Sequence, residues 1–502
     1  MARIAVIGAG MGAMAAAARL AVAGHRVAVY ERAATYGGAV GRFERDGFAF
    51  DTGPGLLHLP AVQRDLFVKT GKEPLEQCVE LVPVDPASRH VFADGTGVSL
   101  PNASRAGVVS ALDEALEAGA GERWGEFLGR ARDAWDRSRR PLLEEPLPAD
   151  PSPFERDPYP AQGRGFLRRG ARTLAEVGAW ELRDPRLAAL LEGHALSYGL
   201  DPRTAPASAA VFAYMEQTFG SWYVRGGIRA LADALYERCL ARKVEFTFEA
   251  EVTDVLEKAG RACGIELAGG QRVEADFVVA GAPVPALYRD QVVHWERQDE
   301  WPRMQSAART GRVTVCLALR GARPGDAVHR TVVHTTDRDG ELDALAAGRL
   351  CDRPTVTVLR PDDASLRPDD AHEAITVTAT VPAGGAWSSE NLWGAGAQAG
   401  AFADRMVEAA ARAVPELRDR LLWREVRTPA DTFRETGAYR VPAPALAGAD
   451  GAWLPAANRS PLPGLYFAGG WSHPGGGLAH AGMSGALVAG LIVEGDDFRG
   501  SQ

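Results

Sequence analysis

The first thirty residues alternate between apolar runs and a glycine-rich turn. Ile4 to Ile7 are all apolar and predict a buried strand, and the alanine-rich run from Met11 to Ala23 predicts a helix. After Gly24, the stretch HRVAVYER predicts a second strand. The pattern therefore predicts a strand–turn–helix–strand unit of an α/β fold, with a parallel sheet.

The turn between the first strand and the helix has the residues that a dinucleotide-binding unit needs. Gly8 permits a tight turn, Gly10 lets the backbone approach a pyrophosphate, and the small Ala13 lets the helix pack closely on the sheet. Gly12 belongs to the same turn, and the helix N-terminus faces the anion. Glu31 ends the second strand, where a carboxylate can accept hydrogen bonds from ribose hydroxyls. The order of strand, glycine turn, helix, second strand and acid favours dinucleotide binding over an ordinary buried βαβ unit.

Two later stretches have different periodicities. ERWGEFLGRARDAWDRSRR predicts a helix, since Trp124, Phe127, Leu128 and Trp135 recur at helical spacing, whereas the seven prolines of residues 141–160 predict a loop. Strands of an antiparallel sheet are predicted for RVTVCLAL, RTVVHTT, PTVTVLR and EAITVTATVP. The stretch GAQAGAFADRMVEAAARAV predicts a helix that follows them.

Composition narrows the class of protein. With 46% hydrophobic and 24% charged residues in 502, the chain is typical of a soluble globular protein. The net charge of −9 gives no reason to expect a nucleic acid partner. Five scattered cysteines without a C-x-x-C pair indicate neither a disulfide framework nor a metal site. We expect a cytoplasmic location, because no signal peptide or spanning helix is evident.

Paired glycines and another short strand follow the acid. Gly37 and Gly38 come soon after Glu31, and FDTGPG ends an alternating strand. Here the sequence resembles the flavin-dependent amine oxidase and carotenoid desaturase superfamily, whose members hold FAD. RTPADTFRETGAYR, WLPAANRSPLPGLYFAGG and SHPGGGLAHAGMSGALVAG resemble the closing blocks of its phytoene desaturase branch. YVRGGIRALADALYERCLARKVEFTFEAEVTDVLE and EADFVVAGAP resemble its middle FAD segment.

The resemblance implies two domains. A Rossmann-type FAD-binding domain is expected from three segments, residues 1–65, 222–290 and 453–502. Residues 66–221 and 291–452 are expected to form a substrate domain of antiparallel sheet plus helices that roofs the cofactor. The ligand site is then expected at the junction of the two domains.

The resemblance also implies how the cofactor is held. The turn from Pro474 to Gly477 is expected to bring backbone N–H groups to the pyrimidine end of the flavin ring, where they stabilise negative charge. Ala39 stands where the desaturases carry arginine, and Arg42 is the candidate replacement. The expected cofactor contacts are Gly8, Gly10, Gly12, Ala13, Glu31, Arg32, Gly37, Gly38, Arg42, Gly53, Val252, Gly469, Gly470, Gly475, Gly476 and Gly477.

Three histidines are candidates for proton transfer. His473 precedes the closing glycine turn, as in the family. His480 stands in Leu478-Ala479-His480, where the family has Ile-Pro-Gly, and Trp471 replaces a small residue. His58 lies near the expected ring position. Each histidine could instead be structural and hydrogen-bonded within the core.

The resemblance implies hydride transfer from a C–H bond to FAD, giving a new double bond in an isoprenoid, polyene or related apolar substrate. The electron acceptor would be oxygen or a quinone. A redox-neutral isomerase or cyclase of a polyene natural product is an alternative on the same fold. An amine oxidase is a more distant one, because none of the four lysines lies in a flavin block.

Arginines around the tryptophan-bearing helix suggest a peripheral membrane contact. Basic residues with aromatic neighbours suit an anionic interface, and GRGFLRRGAR adds further arginines. The alternative is that Trp124 and Trp135 belong to the core and that the arginines are solvated or paired with acids.

Overall fold

A parallel sheet of five strands gathers parts of the chain that lie far apart in sequence. The computed structural model describes residues 1–161, 170–293, 309–383 and 396–501. The strands lie in the order Glu245–Thr247, Arg26–Tyr30, Arg3–Ile7, Phe277–Ala280 and Leu465–Phe467, and all neighbours are parallel.

Three helices cover one face of this sheet, and the side chains that pack between them are small or apolar. The predicted first helix spans Met11–Val22, and it packs against the helices Arg229–Ala241 and Leu478–Val493. Ala13 and the run from Ala15 to Ala18 are buried, and a Cβ on Gly485 would lie only 2.6 Å from the Gly12 carbonyl oxygen. The close approach of the first and last helices therefore depends on glycine and alanine.

Three smaller sheets surround the parallel one. The antiparallel strands Val252–Lys258, Arg261–Leu267 and Arg272–Glu274 form the first. The strands Arg42–Arg45 and Phe48–Asp51 form a hairpin. The strand Ser221–Val224 lies between Leu57–His58 and Leu81–Pro83 in the third sheet.

The predicted second sheet has seven strands. They lie in the order Leu421–Arg427, Thr310–Arg320, His372–Pro382, Val356–Leu359, Arg330–Val333, Ser88–Val91 and Gly97–Leu100. The last two come from residues 66–221, where the sequence pattern predicts a helix and a loop but no strand, and Ser88–Val91 runs parallel to Arg330–Val333. Both are only four residues long, too short for a clear periodicity.

Several of the helices begin at polar caps. Asp184 accepts from the Arg186 N–H before Pro185–Ser197, and Thr428 and Asp431 form a capping box. The remaining helices are Ala61–Gly71, Arg105–Ala115, Ala120–Arg139, Leu174–Val177, Val211–Phe219, Val284–Arg289, Arg338–Ala346, Gly396–Ala410, Leu417–Arg420 and Pro429–Thr436. No helix in the described ranges combines the length and apolar character needed to span a membrane.

The tryptophan-bearing helix, Ala120–Arg139, directs its aromatic side chains into the core. Trp124 is fully buried and Trp135 is 7% exposed. Arg130 pairs with Glu181, and Arg132 pairs with Asp136. The helix therefore presents no tryptophan to a membrane, as the alternative interpretation expects. Arg164, Arg168 and Arg169 of GRGFLRRGAR lie outside the described residues.

Candidate active site

A large cavity of about 1160 Å³ runs from the first glycine turn to the underside of the seven-stranded sheet. Gly8 and Glu31 line one end, and Thr314 and Thr378 line the other. Ligand pockets typically measure roughly 300–1,000 Å³. The cavity therefore has room for an extended cofactor and for a second molecule beside it.

The Glu31 carboxylate is fixed at the cavity wall by backbone donors. Its Oε2 accepts from the Ala9 N–H at 2.7 Å, and its Oε1 accepts from the Ala33 N–H at 2.8 Å. Gly8 has φ +87°, a left-handed conformation that favours glycine. This arrangement holds the acid beside the turn, as binding of a ribose requires.

The backbone beside this acid forms a cradle that a side chain would fill. A Cβ on Gly10 would meet nothing within 4 Å, and Gly10 lines the cavity. The Gly37 N–H donates to the Ala9 carbonyl oxygen at 2.8 Å. This bond holds the pair Gly37 and Gly38 against the first glycine turn. Arg229 donates to the Tyr36 carbonyl oxygen at 2.8 Å and fixes the same loop. These residues fit the diphosphate of a dinucleotide such as FAD.

Most residues predicted from the sequence meet at this cavity. Ala13, Gly475, Gly476 and His473 do not line it. Those that do are Gly8, Gly10, Gly12, Glu31, Arg32, Gly37, Gly38, Arg42, Gly53, His58, Val252, Gly469, Gly470, Gly477 and His480.

The closing glycine turn differs from the expectation. The Gly475 N–H donates to the Ser472 carbonyl oxygen at 2.7 Å, and the Gly476 N–H donates to the Ala443 carbonyl oxygen at 3.0 Å. A Cβ on Gly476 would lie 1.8 Å from the Pro442 carbonyl oxygen. These two glycines therefore serve close packing against a neighbouring segment, and only Gly477 of the turn reaches the cavity. Ala13 has a similar packing role, because a Cβ on Gly281 would lie 2.5 Å from its own.

The three candidate histidines are in different surroundings. Burial lowers the pKa of His480 to about 4 and also lowers that of His58, so both imidazoles at the cavity are neutral near pH 7. His473 is fully buried, and its Nε2 donates to the Glu145 carbonyl oxygen at 2.9 Å. The structure therefore brings His480 and His58 to the cavity, whereas His473 is held within the core. Trp471 also lines the cavity.

An ionic cluster in the cavity wall has no local signal in the sequence. Glu216 and Arg330 form an ion pair at 2.7 Å, and the imidazoles of His58 and His194 lie 3.9 and 3.8 Å from the Glu216 carboxylate. Burial, the largest single effect, would raise the pKa of Glu216, but the Arg330 charge and hydrogen bond together with the neighbouring His58 and His194 outweigh it and lower the pKa to about 2. Glu216 lies 114 positions from Arg330 in the chain, so only the fold reveals their contact.

Comparisons with known proteins agree with this geometry. The family model described as flavin containing amine oxidoreductase matches residues 14–493. The 4,4'-diapolycopene oxygenase of Methylomonas sp is 26% identical over 499 residues, with 98% of each chain covered. The zeta-carotene-forming phytoene desaturase of Myxococcus xanthus is 30% identical over 388 residues, which cover 76% of this chain and 72% of the relative.

Solved structures share the fold. An oxidoreductase from Methanosarcina mazei has a TM-score of 0.63 at 17% identity, with 97% of this chain and 99% of the other covered. Putrescine oxidase bound to putrescine has a TM-score of 0.62 at 15% identity, with 98% and 99% covered. The predicted fold class and FAD cofactor are confirmed. Because the family match extends over nearly the whole chain, this protein belongs to the flavin-containing amine oxidoreductase family and is an FAD-dependent oxidoreductase.

Proposed function

We propose that this protein desaturates a C–C bond of an isoprenoid, a polyene or a related apolar chain. The observation that carries the proposal is the continuous cavity, which joins the dinucleotide cradle to the space beneath the seven-stranded sheet. Relatives with desaturase or oxygenase names support this substrate class. They include the hydroxyneurosporene desaturase of Cereibacter sphaeroides, 28% identical over 98% of this chain and 97% of the relative.

The reaction removes two hydrogens from adjacent carbons, one as a hydride and one as a proton. Bound FAD would supply the hydride acceptor. We assign the proton to His480, because it lines the cavity and its pKa of about 4 leaves the imidazole neutral near pH 7. His58 is the second candidate, since it also lines the cavity as a neutral imidazole.

The cavity gives no support to an amine oxidase. None of the four lysines, Lys69, Lys72, Lys243 and Lys258, lines it. An experiment distinguishes the proposed desaturase from a redox-neutral isomerase. Mixed with a series of candidate polyenes in detergent without oxygen, the purified holoenzyme should lose its ~450 nm flavin absorption with the polyene that it oxidises. Product formed with the flavin band unchanged would instead indicate isomerisation.

A histidine variant tests the assigned base. His480→Gln should slow flavin reduction in a single turnover by ~10²–10⁴-fold while FAD stays bound. In the wild type, the rate should rise as the pH increases through about 4, because the base acts only when neutral. His372→Gln is a matched control, because His372 pairs with Asp369 away from the cavity. An unchanged rate in His480→Gln would remove His480 from the mechanism.

A further inference from the structure

A row of threonines lies on the part of the seven-stranded sheet that lines the cavity. Thr314 pairs with Thr378, Thr378 pairs with Thr357, and all three line the cavity. Residues opposed in this way have Cβ atoms ~4.5–5.5 Å apart, so the three side chains form a strip ~10 Å long. We call Thr314, Thr378 and Thr357 the threonine strip.

The opposite face of the same strands is apolar. Val313, Val315, Val377 and Val358 are buried there together with Phe402 of the helix Gly396–Ala410. Valine and threonine are both β-branched and suit strands equally well. Strand formation therefore does not account for hydroxyl groups on the cavity face.

The strip hydroxyls differ from nearby threonines that serve the fold. Thr380 donates to the Leu196 carbonyl oxygen at 3.0 Å, and Thr310 donates to the Gly199 carbonyl oxygen at 2.8 Å. Within the described part of the chain, no side-chain hydrogen bond is found for any member of the threonine strip. These hydroxyls are therefore available to a molecule in the cavity.

Arg312 extends the polar surface along the strand that contains Thr314. It stands two residues before Thr314, so both lie on the cavity face, and both line the cavity. Its Nη2 donates to the Ser197 carbonyl oxygen at 2.6 Å. A guanidinium has five N–H donors, and no carboxylate within the described ranges pairs with this one.

Three other arginines of the cavity wall pair with carboxylates. Arg330 pairs with Glu216 at 2.7 Å, Arg42 pairs with Glu44 at 2.6 Å, and Arg427 pairs with Glu435. Burial without a carboxylate partner lowers the pKa of Arg312, although its nearness to Tyr198 opposes the shift. A carboxylate brought in by a ligand would offset that desolvation.

We propose that the substrate is an oxygenated polyene acid, with its carboxylate on Arg312 and its other oxygen atoms along the threonine strip. This inference rests on the proposed function, because it assumes that the cavity holds the molecule to be oxidised. A bare hydrocarbon would leave the remaining N–H donors of the guanidinium and the three hydroxyls without partners where water is displaced, which is costly.

Binding of two matched probes tests the proposal without relying on catalysis. All-trans-retinoic acid and retinol share one polyene and differ in the terminal carboxylate or hydroxyl. The oxidised holoenzyme should bind the acid ~10–100-fold more tightly than the alcohol, as judged by quenching of tryptophan fluorescence. Arg312→Gln should abolish this preference, and Arg312→Lys should retain part of it. Arg320→Gln, on the same strand but exposed and outside the cavity, should keep it in full.

The outcomes separate this proposal from the proposed function. Equal affinity for the two probes, or a preference that persists in Arg312→Gln, would overturn the carboxylate site even if a polyene bleaches the flavin. A preference for the acid that depends on Arg312 would support the site even if no polyene bleaches the flavin. In that case the proposed desaturase function would be contradicted. If Arg312→Gln does not fold, Arg312→Lys keeps the test valid.

Discussion

Glu216 and Arg330 form an ion pair at 2.7 Å between a helix and a strand that meet only in the folded protein. Glu216 lies on the helix Val211–Phe219, and Arg330 begins the strand Arg330–Val333. Their side chains are 13% and 11% exposed. Removing one partner from such a pair leaves a charge buried without compensation, which typically costs ~3–5 kcal/mol.

We expect Glu216→Gln to lower the free energy of unfolding at about pH 7 by up to this ~3–5 kcal/mol. The folded-state pKa of about 2 lies below the ordinary 4.5, so the folded protein binds fewer protons than the unfolded chain. The stabilisation is therefore complete above about pH 4.5 and is lost as the pH falls through about 2.

Urea unfolding at about pH 7 and about pH 3 measures this dependence, since the gap between wild type and variant should shrink in acid. Glu117→Gln is a control, because Glu117 pairs with Arg123 at the surface and its loss should cost at most ~1 kcal/mol. A gap of the same size at both pH values would contradict the prediction.

Glu31→Ala should weaken FAD binding by ~1.5–3 kcal/mol, since it removes a charged hydrogen-bond acceptor from the cavity wall. It also frees the backbone N–H groups of Ala9 and Ala33, which the carboxylate holds in place. Titration of the apoprotein with FAD gives the dissociation constant. Glu274→Ala is the matched control, because Glu274 pairs with Arg3 at the surface, away from the cavity. Equal FAD affinity in both variants would exclude Glu31 as a cofactor ligand.

Two glycines of the first turn should respond differently to alanine. A Cβ on Gly12 would lie 2.5 Å from the Gly469 Cα, so Gly12→Ala should lower the free energy of unfolding by ~1–3 kcal/mol or more. A Cβ on Gly10 meets no protein atom within 4 Å, so Gly10→Ala should fold normally yet bind FAD less tightly. Thermal unfolding of the apoproteins and FAD titration separate the two effects. If Gly10→Ala retained full FAD affinity, the cofactor would not approach the backbone at this turn.

The sequence pattern was sufficient to predict those features whose residues lie close together in the chain. The glycine turn, the alanine helix and Glu31 could be predicted because one strand–turn–helix–strand unit contains all of them. The long strands Thr310–Arg320 and His372–Pro382 were predictable because their β-branched residues run over many positions. The resemblance of the closing blocks to the family likewise pointed to Gly469 and Gly477, which line the cavity.

Tertiary structure decided what depends on packing between distant segments. The sequence could not distinguish a glycine that faces the cavity, such as Gly477, from Gly476, whose N–H bonds to the Ala443 carbonyl oxygen. It gave no sign that Glu216 meets Arg330, because no periodicity or spacing relates residues on separate elements. Thr314 lies on the cavity face of the sheet because of how its strand is paired and because a helix covers the other face. The sequence alone thus determined the cofactor and the fold class, whereas the position of the threonine strip at the cavity emerged only when the strands were paired.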